Sequence, residues 1–233
     1  ESLPLGGADI IEIGMPFSDP MADGPSIQES SLRSLNNGHD MNKTLMMIER
    51  FRIKDKETPI VLMGYFNPIL QFGVKSFINR CEEVGVDGLI VVDLPIEHSD
   101  EICIPAQKSG IDFINFITPT TNKERLKQIL NLSTGFLYFV SIAGITGTKV
   151  PDNKIIEELI KTVKQNTNLP IGVGFGIKSP SQVEEISNFS DAIVVGSAIV
   201  NKIDSLKIKN FDNDLIVKNM IDFLLELSNP LKG

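Results

Sequence analysis

Seven short apolar runs recur along the chain, at residues 10–14, 59–64, 88–93, 113–117, 135–140, 170–173 and 191–195. They are apolar on both faces, and a stretch with helical spacing separates each from the next. Strands buried on both sides need helices on both sides of their sheet, and strands that alternate with helices run parallel. The pattern predicts an α/β fold. Two architectures satisfy it, a doubly wound open sheet and a closed (β/α)8 TIM barrel. Polar residues and glycines gather after the C-terminal end of each run, where barrel active sites are built, and this favours the barrel. Seven runs are one short of eight, and residues 1–6 read as the tail of a helix leading into a second strand. The expectation is therefore one barrel domain over residues 1–233 that lacks an N-terminal helix and the first strand. A barrel closes only when every strand has two neighbours, so such a chain is expected to fold poorly or to bind substrate weakly.

Helical spacing is found at residues 26–36, 42–52, 74–84, 103–108, 123–130 and 154–166, with a short helical run at 198–201. Residues 65–68 read as a loop.

The length of 233 residues and the 42% apolar content allow a substantial core. A net charge of −8 without a basic cluster argues against nucleic acid and for a small ligand. An anionic ligand on so acidic a chain has to be held by backbone N–H groups or a few placed cations. Cys81 and Cys103 are isolated, which argues against a disulfide framework or zinc site and fits a cytoplasmic setting. His39 and His98 lack ligand spacing. The longest uncharged run, residues 132–148, is too polar and too short to cross a bilayer.

Residues 9–28, DIIEIGMPFSDPMADGPSIQ, carry the chemistry. Strand period puts Ile11 and Ile13 on one face and Ile10, Glu12 and Gly14 on the other, so Glu12 interrupts a face that should be apolar. The loop that follows is broken by Pro16, Pro20, Gly24 and Pro25 and carries Ser18, Asp19 and Asp23 back over the strand end. A carboxylate among Ile and Met side chains loses solvation and its pKa rises, which suits a proton donor near neutral pH. Asp23, in a polar loop, stays ionised as an acceptor, and the two environments split acid from base. The competing reading pairs Glu12 with a Lys or Arg inside the barrel.

Residues 172–177, GVGFGI, end one apolar run, and Gly196-Ser197 end the last just as a helical run begins. Glycines let a ligand approach the backbone, and a helix N-terminus offers free N–H groups and a favourable dipole. Two such turns on the last two strands make a phosphate cradle where barrels commonly place one, and they need no cation.

These stretches resemble the tryptophan synthase α-subunit family. The matching segments are IEIGMPFSDPMADGPSIQ at 11–28, GVDGLIVVDLP at 85–95, GITGTK at 144–149, GFGI at 174–177 and VGSAIV at 195–200. The resemblance implies retro-aldol cleavage of indole-3-glycerol phosphate to indole and glyceraldehyde 3-phosphate. It also implies an α2β2 heterotetramer in which a β subunit carries pyridoxal phosphate, with no cofactor in this chain. By position, Glu12 is the acid for the indole ring carbon and then the base for the glycerol hydroxyl. Asp23 accepts the indole N–H, and Tyr138 orders Glu12 and the substrate. Thr146 bonds Asp23 and closes the site, with Gly144 and Gly147 as hinges. Gly174, Phe175, Gly176, Gly196 and Ser197 match the phosphate site, while Ile27, Met63 and Tyr65 line the indole pocket. Pro16, Ser18, Asp19 and Pro20 face the β subunit. Ile142 departs from the Arg of some members. The alternatives are another phosphosugar-handling barrel enzyme and a weakly active binding module that only activates its partner.

Overall fold

The computed structural model describes residues 1–140, 153–174, 176–209 and 211–232. They fall into two compact units, Ile10–Asn115 with Lys127–Gly135, and Glu1–Asp9 with Phe116–Leu126 and Phe136–Gly233.

In the unit that opens at Ile10, strand β1 (Ile11–Gly14) is followed by helices α1 (Pro25–Asn36) and α2 (Met41–Arg52) and by strand β2 (Ile60–Gly64). Helices α3 (Phe66–Phe72) and α4 (Val74–Val84), strand β3 (Gly88–Val91), helix α5 (Asp100–Lys108) and strand β4 (Asp112–Phe113) complete it. The four strands form one sheet in chain order, and its ladders are parallel. Leu62, Leu89 and Ile90 are fully enclosed, with Ile48, Phe77 and Ile102 of the helices. Local chemistry sets the helix limits. Pro25 stands in the first turn of α1, where its missing N–H costs nothing. The Asp40 carboxylate caps α2 by accepting from Lys43 N–H at 2.8 Å. Gly85 ends α4 in the left-handed region, at φ 82°.

The other sheet is again parallel where its ladders are described and again in chain order, from strand β5 (Asn115–Ile117) through β6 (Leu137–Val140) and β7 (Ile171–Gly174) to β8 (Ala192–Val194). Helix α6 (Lys123–Leu132) lies between β5 and β6 in the chain, and α7 (Asn153–Lys164) precedes β7. Helix α8 (Pro180–Ser187) lies between β7 and β8, with α9 (Ser197–Ile208) and α10 (Asn213–Ser228) after them. On α7, Ile156, Ile160 and Val163 form a buried stripe at helical spacing.

Several expected boundaries change. The run at 113–117 is broken at Ile114, so seven apolar runs yield eight strands. The Phe113 N–H turns to the Thr134 hydroxyl at 2.9 Å. Residues 65–68 are not all loop, because α3 starts at Phe66. Pro68 is its third residue, within the first turn whose N–H groups have no helical partner, so proline is tolerated there. The short run expected at 198–201 lies within the first half of α9, and α8 and α10 are further helices that the sequence reading did not mark.

Candidate active site

Glu12 lies in the middle of β1, paired in register with Val61 of β2. The face it shares with Ile10 and Gly14 is exposed, while Ile11 on the opposite face is buried. The expected enclosure among Ile and Met side chains is therefore incomplete: Ile10 is 43% exposed, and a Cβ on Gly14 would meet no atom within 4 Å. Solvent reaches Glu12 along one side, yet protein crowds it on the others. This desolvation pushes the carboxyl up to about 7, and the Asp23 carboxylate adds to the rise. No described Lys or Arg is paired with Glu12.

Asp23 is carried by the loop between β1 and α1, which folds back through the Asp23 N–H to Pro20 C=O bond at 3.1 Å. Its Oδ2 accepts from the Tyr65 hydroxyl at 3.1 Å, and that hydroxyl in turn accepts from the Ala22 N–H at 3.0 Å. Burial raises the Asp23 pKa, and the Tyr65 hydrogen bond opposes the rise. Tyr65 is itself 2% exposed, and burial is the main reason its phenol stays protonated far above the usual range. Phe17 stacks against it with ring centroids 5.5 Å apart. A carboxylate on β1 and a second on the loop after it, in different surroundings, thus interact by charge, with a phenol holding the second.

Met63, Ile27 and the loop after β1 belong to the same unit. Met63 is the register partner of Gly14, and its C=O accepts from Met15 N–H at 2.8 Å. Ile27 stands in the first turn of α1, half-buried. In the loop after β1, Ser18 donates to Asp19 Oδ2 at 2.6 Å, both exposed, and Pro16 and Pro20 are half-buried.

In the other unit, Gly174 ends β7 beside Val194 of β8. Gly176 follows at φ 69°, a left-handed conformation that glycine adopts without strain. Gly196 precedes α9, and Ser197 is the first residue of that helix. A Cβ at Gly176 or Gly196 would meet nothing within 4 Å, so both turns border open space. At Gly174 the opposite holds, since a Cβ would come within 2.6 Å of Cζ of Tyr138. Tyr138 lies over this glycine, edge-to-face with Phe116 at 5.2 Å. Thr146, Gly147 and Phe175, with Ile142 and Gly144, lie outside the described residues.

Sequence reasoning did not single out two residues that touch these candidates or the residue beside them. Phe116 backs Tyr138, and Asp93, just beyond β3, accepts from Phe66 N–H at 2.7 Å. The signal for Asp93 is an acidic residue straight after an apolar run. Among the described residues, no cluster of three or more His, Cys, Asp or Glu could hold a metal ion, and no helix is long and apolar enough to cross a membrane.

The family model of the tryptophan synthase alpha chain matches residues 1–223. The chain belongs to this family. Its fold is similar to that of tryptophan synthase subunit alpha from Legionella pneumophila str. Paris, at 36% identity and TM-score 0.90, over 99% of this chain and 84% of that one. It is also similar to the tryptophan synthase a2b2 complex from Pyrococcus furiosus, at 35% identity and TM-score 0.84, over 98% of this chain and 92% of that one. Tryptophan synthase from M. tuberculosis in its aminoacrylate-bound form gives 29% identity and TM-score 0.85, over 99% and 84%. The parallel α/β pattern read from the sequence is thus the tryptophan synthase α fold, a TIM barrel, and the chain takes the α-subunit role in tryptophan biosynthesis.

Proposed function

We propose that the chain is a carbon–carbon lyase that cleaves indole-3-glycerol phosphate to indole and glyceraldehyde 3-phosphate. The observation that carries this reading is the pair of interacting carboxylates on β1 and the loop after it, one raised to about 7 and the other held by a buried phenol. Protonated Glu12 donates to the indole ring carbon that bears the side chain. Positive charge then develops on the ring nitrogen, and the Asp23 carboxylate accepts that N–H. The bond between ring and glycerol carbon breaks as its electron pair returns to the ring. The adjacent hydroxyl proton passes to the Glu12 carboxylate, leaving an aldehyde and restoring the acid. Tyr65, Met63 and Ile27 face the indole in this reading. Gly174, Gly176, Gly196 and Ser197 hold the phosphate, by close backbone approach and the free N–H groups of α9, and Tyr138 serves the substrate beside them.

The P. furiosus relative is an a2b2 complex. We assign this chain the same kind of partner, a β subunit that would carry pyridoxal phosphate and take up indole, with the loop Pro16, Ser18, Asp19 and Pro20 toward it. An indole-release assay with and without a β subunit tests the reading. Release of indole from indole-3-glycerol phosphate, faster with the partner, is the expected result. Stimulation of the β reaction without any indole release would identify an activating module instead, and turnover of other phosphosugars alone would identify another barrel enzyme.

A further inference from the structure

Tyr65 reaches Asp23 from the far end of β2, and two hydrogen bonds with the residues just beyond β3 hold the backbone on either side of it. Before Tyr65, the Gly64 C=O accepts from Val92 N–H at 2.8 Å, continuing the ladder in which Gly64 pairs with Val91. After Tyr65, the Phe66 N–H is the first of α3, and a helix leaves its first N–H groups without internal partners. Tyr65 occupies the capping position in an extended conformation, but its side chain makes no capping bond. That side chain is committed elsewhere, to Asp23 and Ala22. The Asp93 carboxylate fills the gap and accepts the Phe66 N–H at 2.7 Å.

We propose that Asp93 is a positioning residue for the reaction: by holding the Phe66 N–H it fixes the backbone from which the Tyr65 hydroxyl reaches Asp23. The proposal rests on the reading of Asp23 as the acceptor of the indole N–H. Asp93 does not touch the substrate in this account. It acts through Tyr65, whose following residue the carboxylate ties to the segment after β3, while Phe17 packs against the ring. Without that bond, the start of α3 is free to rotate, and the Tyr65 hydroxyl leaves Asp23. The groups that act on Asp23 are Tyr65, through its hydroxyl, and Glu12, through its charge, while the Ala22 N–H donates to Tyr65. Losing the phenol removes the contribution that lowers the Asp23 pKa, so that pKa should climb.

Three variants of the chain in complex with its β subunit test this: Asp93→Ala, Asp93→Asn and Tyr65→Phe. Two readouts are taken, indole release across pH and titration of the Asp23 carboxyl by 13C NMR. Asp93→Ala is expected to lower kcat about fivefold or more with KM within about twofold. Its acid limb and the Asp23 titration should both move to higher pH. Asp93→Asn keeps an oxygen that can accept the Phe66 N–H and should match the parent in both readouts. Tyr65→Phe should move the titration in the same direction, and Asp93→Ala combined with it should be no worse than Tyr65→Phe alone. An unmoved Asp23 titration in Asp93→Ala, a loss shared by Asp93→Asn, or losses that multiply in the double variant would each overturn the proposal. If Asp93→Ala does not fold, an unmoved titration in Tyr65→Phe overturns it alone. The reading of Asp23 itself fails separately, if Asp23→Asn releases indole at the parent rate.

Discussion

Glu12 has a consequence for stability as well as for the proposed chemistry. Its carboxyl is raised from 4.5 to about 7 in the folded chain. Between those values the folded state binds more protons than the unfolded state, so stability falls as pH rises through this window and levels off above it. Below about 4.5 both states are protonated and the cost vanishes. Glu12→Gln removes the charge, so its melting temperature should exceed the parent's at pH 8 and approach it at pH 4. Thermal melts of both proteins across that range check this, and a difference independent of pH would show that Glu12 is not the group responsible. Glu12 was legible in the sequence because strand period is local and one acid among isoleucines breaks it. The link from Asp23 to Tyr65 was not, because it joins residues 42 positions apart through two different strand ends.

At the scale of elements, one device is built twice. Asp87, just before β3, accepts Ile60 N–H at the start of β2 at 2.6 Å and pairs with Arg52 of α2 at 2.5 Å. Asp191, just before β8, accepts Ile171 N–H at the start of β7 at 2.9 Å and pairs with Lys164 of α7 at 2.8 Å. In both places an acid on one strand closes the start of its neighbour and anchors the preceding helix. These clamps sit at strand starts, away from the candidate site, and so read as stability features. Burial alone would raise the Asp191 pKa, but the Lys164 and Ile171 hydrogen bonds outweigh it and hold the carboxyl below the usual range. Its stabilisation is therefore present above the ordinary carboxylate pKa and lost as pH falls through the lowered value. Asp191→Ala leaves the N–H of fully buried Ile171 unpaired and should cost about 1–2 kcal/mol. Lys164→Met breaks only a half-exposed ion pair and should cost under about 1 kcal/mol. Urea denaturation of the two variants checks the order, and an equal loss would contradict the clamp. Strands and most helices were legible because apolar spacing and caps are short-range signals. The break at Ile114 was not, since beside it the Phe113 N–H bonds the Thr134 hydroxyl, 21 residues further along the chain.

For the whole molecule, the proposed substrate asks two kinds of chemistry of one chain. The proposed acid and acceptor, Glu12 and Asp23, belong to the unit that opens at Ile10, and the glycines proposed for the phosphate belong to the unit that contains β7 and β8. The turns can be tested apart from the carboxylates. Gly196→Val adds a side chain over the start of α9 where the protein itself has room, so the melting temperature should change little. Affinity for indole-3-glycerol phosphate should fall about tenfold or more while affinity for free indole holds, and calorimetric titration with each ligand reads this. Equal weakening of both would point to collapse of that end of the fold. The glycines themselves were legible as a pattern, whereas Tyr138 over Gly174 required the packing of neighbouring strands. The central claim is that Glu12 moves the proton that starts the cleavage. Single-turnover indole release by Glu12→Gln at saturating indole-3-glycerol phosphate tests it most directly. A loss of roughly a hundredfold or more, with substrate still bound, is the result the account predicts. Release at close to the parent rate would contradict it.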